Sequence, residues 1–578
     1  MAETLVSPAT TLAYGATLLD GEVAFRVWAP NAKRVTLRLV GEGDHTMQRS
    51  ADGAFAAVLP ARAGDRYFYC VDDGQPVPDP VSRLLPEGVH GPTEIVDPNS
   101  FVWTDRNWGG VALRDAIIYE LHVGTFTPAG TLDAAIERLP YLREFGVTLI
   151  ELMPVAAFPG TRNWGYDGVS PYSVQNSYGG PDALKRFVNA AHAHSLGVLL
   201  DVVYNHLGHE GNYLRQFGPY FTSRHHTPWG EAINFDGPGS AGVRRFFIDN
   251  ALYWIREYHL DGLRLDAVQT IYDDSPQHIL AEIEQNVQAL ARELGRQVLV
   301  IAESDANDPA LVRQAPSGYG LDAVWSDDFH HALHALLTGE RHGYYQDFGA
   351  LTQLARSLEA GFVFQGEHFK FWGKPRGGSP AGVPLERHVI CAQNHDQVGN
   401  RARGERLSAL VSAAAQKLAS ALLLLGAETP LLFMGQEYGE TAPFQYFTDY
   451  SDPDLARAVS EGRRHEFPEF SREQVPDPQD PATLARSRLN WETATRDNEL
   501  LGWYRALIAL RKRCVTAGVR TCRAQVEGSR LTLSIPAEKP TVVVLADFAG
   551  AALATIPTGW NLAMDSADEN YAVRVLAR

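Results

Sequence analysis

Apolar and polar positions change rhythm twice along this chain. Over residues 1–105 they alternate with the two-residue period of half-buried strands. Val23-Ala-Phe-Arg-Val-Trp-Ala29 and Val35-Thr-Leu-Arg-Leu-Val40 show the alternation, with the turn signal Pro30-Asn31 between them. Arg66-Tyr-Phe-Tyr-Cys-Val71 repeats it, and Asp72-Asp-Gly74 closes it. Short strands with turns at this spacing predict an immunoglobulin-like β-sandwich. The Pro-rich stretch 76–92 reads as an irregular linker. Over residues 106–515, short apolar runs alternate with amphipathic stretches. The runs occupy 116–122, 149–154, 198–203, 262–268, 298–302, 323–325, 388–392 and 430–434. Helical spacing lies between most of them, for example over 132–145, 181–195 and 241–258. Eight such units predict an α/β fold, a (β/α)8 TIM barrel with a short insertion after strand three. A doubly wound sheet is the alternative, but no Gly-rich phosphate loop follows the first strand. Residues 516–578 return to alternation over 531–535, 541–545 and 571–576, predicting a C-terminal antiparallel β-domain.

A chain of 578 residues is too long for one core, which agrees with three domains. Its 45% hydrophobic and 21% charged content is that of an ordinary soluble protein. The formal charge of -18 argues against nucleic acid or an anionic membrane as partner, and leaves a neutral substrate such as a sugar open. The longest apolar stretch, 419–425, is far too short to span a bilayer. Residues 1–7 lack the basic-then-apolar order of a signal peptide, so a cytoplasmic location is expected. Cys70, Cys391, Cys514 and Cys522 do not make a disulfide framework and are expected as free thiols. No His, Cys and Glu cluster has zinc spacing, so neither metal nor cofactor is expected.

The candidate chemistry sits at strand ends. Asp266, Glu303 and Asp396 lie at or just past the ends of apolar runs four, five and seven, where barrel enzymes carry their active sites. Residues two apart on a strand share a face. Arg264 and Asp266 therefore point one way, while Leu263 and Leu265 point towards the helices. A guanidinium favours the ionised carboxylate, which suits Asp266 as a nucleophile. Glu303 caps an apolar run with other acids nearby, so it is the better proton donor. Asp396, beside His395, is a third acid that would orient a sugar and favour its charged transition state. A rim salt bridge is the alternative for any one of them; three in matching contexts argue for glycoside cleavage. Asp201-Val-Val-Tyr-Asn205-His206 puts polar groups at the tip of strand three, with a capping Asn and a buried His as the alternative. Asn163-Trp164-Gly-Tyr166-Asp167-Gly168 follows strand two and offers aromatic faces for sugar rings, or an ordinary aromatic loop.

Taken in order, Asp201 to His206, Gly262 to Asp266, Glu303 and His395-Asp396 resemble the four signature segments of the α-amylase superfamily. The resemblance implies a retaining double displacement with Asp266 as nucleophile, Glu303 as acid/base and Asp396 as transition-state stabiliser. It implies that Tyr166, with Trp164 beside it, stacks on the sugar in subsite -1. His206, Arg264 and His395 would hydrogen-bond that sugar, and Asp167 would support Tyr166 or Arg264. Phe25-Arg-Val-Trp28-Ala-Pro30 is similar to the sandwich domain of branching enzymes, isoamylases and trehalohydrolases. Segments 325–331, 337–340, 343–348, 395–400, 433–438 and 443–449 resemble those of the maltooligosyltrehalose trehalohydrolase family. That likeness implies cleavage of the α-1,4 bond beside a terminal trehalose, with maltooligosyltrehalose synthase as functional partner. Recognition of an α-1,1-linked disaccharide calls for fixed hydrogen-bond partners. Asp327, Asp328, His330 and Gln397 are the polar candidates, and Trp325, Phe329 and Phe444 the stacking ones. Gln269 and Asn400 are further candidate contacts. A glucan branching enzyme is the alternative that shares the trio. A debranching hydrolase has only the sandwich domain in its favour. A non-catalytic amylase-like binding subunit is disfavoured because all three acids are present.

Overall fold

The computed structural model describes residues 12–467, 475–495, 497–514, 520–550, 553 and 556–578. The reading of residues 1–7, and residues 516–519 of the C-terminal domain, lie outside them. At the N-terminal end, alternation becomes two antiparallel four-stranded sheets packed face to face. One holds Gly15–Leu18, Val23–Trp28, Ala54–Leu59 and Gln48–Arg49; the other holds Gly43–Thr46, Val35–Leu39, Arg66–Val71 and Thr93–Glu94. Val23, Phe25 and Val27 point inwards, and the Phe25 ring meets Tyr67 edge-on at 4.9 Å.

The segment 76–92, expected as a linker, is packed. Val77, Val81, Leu85 and Val89 are buried, and Asp79 accepts the Tyr67 hydroxyl at 2.6 Å. Buried Arg83 makes a bidentate pair with Glu257 on the helix Ser240–Glu257. Breaking such a pair from one side costs roughly 3–5 kcal/mol. Trp28 wedges onto the same helix at Gly242, where a Cβ would lie 2.2 Å from the indole. The sandwich is thereby fastened to the barrel by apolar and ionic contacts together.

Eight parallel strands close into one barrel in chain order: β1 (Ile118–Leu121), β2 (Leu149–Leu152), β3 (Gly197–Val202), β4 (Gly262–Leu265), β5 (Leu299–Ala302), β6 (Ala323–Trp325), β7 (His388–Cys391) and β8 (Thr429–Phe433), which pairs back to β1. The strands are buried on both faces, which is why they read as continuous apolar runs. Ile118, Leu149, Leu199, Ile301, Val389 and Leu431 fill the lower interior. Leu263 and Leu265 pack outwards against the helical layer, as their positions predict. The predicted helix 132–145 is two helices, Leu132–Ile136 and Leu139–Phe145, because Pro140 starts the second one. The stretch after β3 carries the hairpin Phe221–Thr227 and Gly230–Ile233. The C-terminal sheet is antiparallel, in the order Arg523–Glu527, Arg530–Ile535, Val542–Asp547, Ala572–Ala577, Asn561–Ala567. All four cysteines are free. Among the described residues, no helix is long and apolar enough to cross a membrane.

Candidate active site

One layer above the apolar barrel floor, the inward positions turn ionic. β1 supplies Glu120 and β2 supplies Glu151, paired in register. β3 supplies Asp201, in register with Arg264 of β4. Arg264 is fully buried and binds three carboxylates at once: Asp201 at 2.6 Å and Asp266 at 2.9 Å from Nη1, and Glu303 at 3.1 Å from Nη2. Its guanidinium lies 4.3 Å from the centre of the Trp325 ring, which closes the site from below. A planar fork is the side chain suited to hold several carboxylates in fixed directions.

Asp266 ends β4, and the chain turns sharply after it. Ala267 sits at φ 38°, in the left-handed region that costs a residue with a Cβ of order 1 kcal/mol or more. That turn aims the Ala267 N–H at Glu303 Oε2, 2.6 Å away. Burial pushes the Asp266 carboxyl up to about 6, against the pull of Arg264. The guanidinium beside Asp266 was expected to favour its ionised form; it does so, but desolvation is the larger effect. Burial pushes Glu303 up to about 8, opposed by Arg264 and reinforced by the charges of Asp266 and Asp396. Near neutral pH, Asp266 is thus mostly ionised and Glu303 mostly protonated.

Asp396 lies in the first turn of the short helix His395–Gly399, capped by Asn394, and accepts the Asn400 amide at 2.5 Å. His395 precedes it. Both Glu120 oxygens engage that one residue: Oε1 meets Nδ1 at 2.5 Å and Oε2 accepts the backbone N–H at 2.9 Å. Tyr166 stacks on the His395 ring at 5.0 Å and donates its hydroxyl to Asp201 at 2.6 Å. His206 Nε2 lies 3.0 Å from the Tyr166 carbonyl, and Trp229, at the tip of the hairpin, stacks on His206 at 4.2 Å. Burial lowers His206 to about 4, so its ring is neutral. Asp167 accepts from Asn163 at 2.7 Å and so fixes the loop that carries Tyr166.

The structure brings Asp266, Glu303, Asp396, Tyr166, His206, Arg264 and His395 together. Asp327 belongs with them. It opens the helix Asp327–Thr338, and burial, followed by Glu303 and Asp396, raises its carboxyl well above the usual range. The remaining candidates pack behind this group or lie at its edge. Trp164 is buried, stacked on Phe444 at 5.2 Å, and donates to the Gln445 carbonyl. Gly399 allows this contact, since a Cβ there would lie 2.1 Å from the indole. Phe329 and Phe444 are in the core. Asp328 pairs with buried Arg376 and accepts from Asn307, Val363 and Phe364, so it pins the segment after Gly361. His330 bridges the Ala392 carbonyl and the Tyr345 hydroxyl. Gln397 is buried, while Gln269 and Asn400 are exposed. Glu120 and Glu151 were not singled out from the sequence. The signal was available, since each is an acid at an inward position of an otherwise apolar strand.

The His225, Asp236 and Asp274 side chains come within ligand distance of one another beside the hairpin. Arg224 already pairs with both acids there, so the charge a cation would bring is supplied by the protein.

Residues 13–99 match the family model of carbohydrate-binding module 48 (isoamylase N-terminal domain), and residues 95–227 that of the alpha amylase catalytic domain. A malto-oligosyltrehalose trehalohydrolase from Saccharolobus solfataricus is 48% identical over 503 residues, covering 87% of this chain and 87% of that protein. One from Arthrobacter ramosus is 50% identical over 499 residues, covering 84% and 87%. A crystal structure from Salmonella typhimurium, provisionally named an alpha amylase, matches with a TM-score of 0.90 at 40% identity, over 98% of this chain and all of that one.

Proposed function

The chain belongs to the malto-oligosyltrehalose trehalohydrolase family of the α-amylase superfamily, a glycosidase family, and on that premise we propose that Asp266, Glu303 and Asp396 carry its chemistry. The substrate is an α-glucan oligosaccharide ending in trehalose, and trehalose is released. The observation that carries the residue assignment is the shared guanidinium. Two carboxyls bound to neighbouring nitrogens of one Arg264 are close neighbours. That favours the separation of about 5 Å used in retaining double displacement over the 6.5–9.5 Å that leaves room for an inverting water.

In the first step, Glu303 gives its proton to the glycosidic oxygen as that bond breaks, and trehalose leaves. The Asp266 carboxylate attacks the anomeric carbon and forms a glycosyl ester. Arg264 Nη2 and the Ala267 N–H then hold the newly ionised Glu303. In the second step, Glu303 takes a proton from water, the oxygen attacks the anomeric carbon, and the ester to Asp266 breaks. The shortened oligosaccharide leaves with its original α configuration. Asp396 and the Tyr166 ring face the sugar as positive charge develops on it. Asp327, drawn in beside Glu303 and Asp396, is the polar group we assign to the trehalose side; Asp328 and His330 act behind it, holding backbone. An enzyme that makes the α-1,1 end of a maltooligosaccharide, a maltooligosyltrehalose synthase, is the functional partner that supplies this substrate.

The test is a substrate comparison. Purified protein given maltooligosyltrehalose should release trehalose and a shortened maltooligosaccharide, and act much more slowly on the plain maltooligosaccharide of equal length. Equal rates on the two would reject the specificity, and branch points formed in amylose would favour a transferase.

A further inference from the structure

We propose that Glu120 is a positioning residue for this reaction: it holds His395 with both ring nitrogens protonated, so that Nε2–H faces the sugar as a charged donor. The inference rests on the retaining reading above and deepens it. Glu120 lies at the centre of β1, 1% exposed, and spends both oxygens on His395, one on Nδ1 and one on the backbone N–H. A neutral imidazole that donates from Nδ1 has only a lone pair on Nε2, whereas an imidazolium donates from both nitrogens. The carboxylate therefore decides whether the far edge of the ring gives or accepts a hydrogen bond. Its second contact fixes the backbone at the start of the helix that carries Asp396.

The groups facing His395 set a contest that Glu120 wins. Burial alone would lower the His395 ring, and Arg264 and His122 oppose its charge. Glu120, by its charge and its hydrogen bond, outweighs them and holds the ring above its usual value, with help from Asp396. Asp266 also feels the ring as a cation. Tyr166 covers one face of the ring, and Trp164 and Trp325 stand at 5.9 and 6.2 Å. Glu151 is the neighbour of Glu120 in register. Neither of its oxygens has a hydrogen-bond partner among the described residues, and burial with the Glu120 charge pushes its carboxyl well up. Glu151 thus holds the proton of that acidic pair and leaves Glu120 to bind His395.

The test is the pH–rate profile of trehalose release by Glu120→Gln. Glutamine keeps the size and one acceptor but removes the charge. A hydrogen bond to a charged group sets the scale: kcat at pH 7 should fall about 10- to 100-fold, with KM within about threefold. The alkaline limb should move down because His395 loses its anion. The acid limb should move up because Asp266 loses the neighbouring cation. Glu120→Asp, which draws the carboxylate back by one methylene, should narrow the profile in the same sense but less. It decides the matter if Glu120→Gln does not fold. A uniform loss of rate with both limbs in place, or no change at all, overturns the proposal. If the wild-type protein releases no trehalose but hydrolyses a plain maltooligosaccharide, and the pH profile of that hydrolysis narrows in Glu120→Gln, the functional reading fails and the role of Glu120 stands.

Discussion

Replacing Arg264 by lysine keeps one positive charge at the centre of the site but removes the fork that meets Asp201, Asp266 and Glu303 together. An ammonium on that stem cannot reproduce either nitrogen of the fork in its place, so Asp266 and Glu303 each lose a charge-assisted contact. Such a contact is worth about 1.5–3 kcal/mol, and 1.36 kcal/mol corresponds to one pH unit of a carboxyl's titration. The affected carboxyls should therefore titrate about 1–2 units higher than the values near 6 for Asp266 and 8 for Glu303. The sign follows from which form works. Asp266 must be ionised, so activity is lost as pH falls through its pKa. Glu303 must be protonated, so activity is lost as pH rises through its pKa. Raising both moves the whole kcat/KM profile towards alkaline pH, and at pH 6 the variant should lose about tenfold more than at pH 8. The assay is initial-rate trehalose release from pH 4.5 to 9.5, with circular dichroism on the same samples. An acid limb that stays in place while the protein is folded would refute the argument that Arg264 sets the charge on Asp266.

Other outcomes follow from the same contacts. Asp266→Ala should abolish most turnover and Glu303→Gln should reduce it roughly 10²- to 10⁴-fold, both with native circular dichroism. Asp328→Ala strands buried Arg376, so it should lower stability by about 3–5 kcal/mol in denaturant unfolding. Below the barrel, His192 bridges Asp105 and Asp261 at 2.8 and 2.9 Å. Burial would lower His192, but the two acids outweigh it and raise it; burial would raise Asp105, but His192 and His259 outweigh it and lower it. The His192 contribution is therefore complete below its unfolded value near 6.5 and lost as pH rises, while that of Asp105 is complete above about 3.9 and lost as pH falls. The melting temperature should decline from pH 6.5 to 8.5 in the wild type, and that decline should flatten in His192→Gln.

How much of this was legible in the sequence depends on what each residue's pattern could carry. The barrel strands stand out because parallel strands buried on both faces are unbroken apolar runs. Asp266, Glu303 and Asp396 stand out because each interrupts or ends such a run. The break at Arg138 and Pro140 in the first helical stretch is local chemistry that a periodic reading passes over. Phe329, Phe444 and Trp164 show where pattern runs out. An aromatic next to a catalytic segment looks the same whether it faces a sugar or packs behind the residue that does, and here these three pack behind. Asp328 and His330 are polar for the same hidden reason: their partners, backbone groups among them, lie in other segments that only the fold brings near. Glu120 and Glu151 were passed over because their neighbours in sequence are apolar; only barrel closure sets them beside Arg264 and His395.

The central claim, that Asp266 forms a covalent bond to the sugar, is open to one direct measurement. A fluorinated α-glucosyl fluoride that slows the second step can be incubated with the protein, followed by mass spectrometry of its peptides. The account predicts one fluoroglycosyl adduct, formed with loss of the anomeric fluoride, on the peptide containing Asp266, which is absent in Asp266→Ala. An adduct on a different carboxylate, or turnover with inverted product and no adduct, would contradict it.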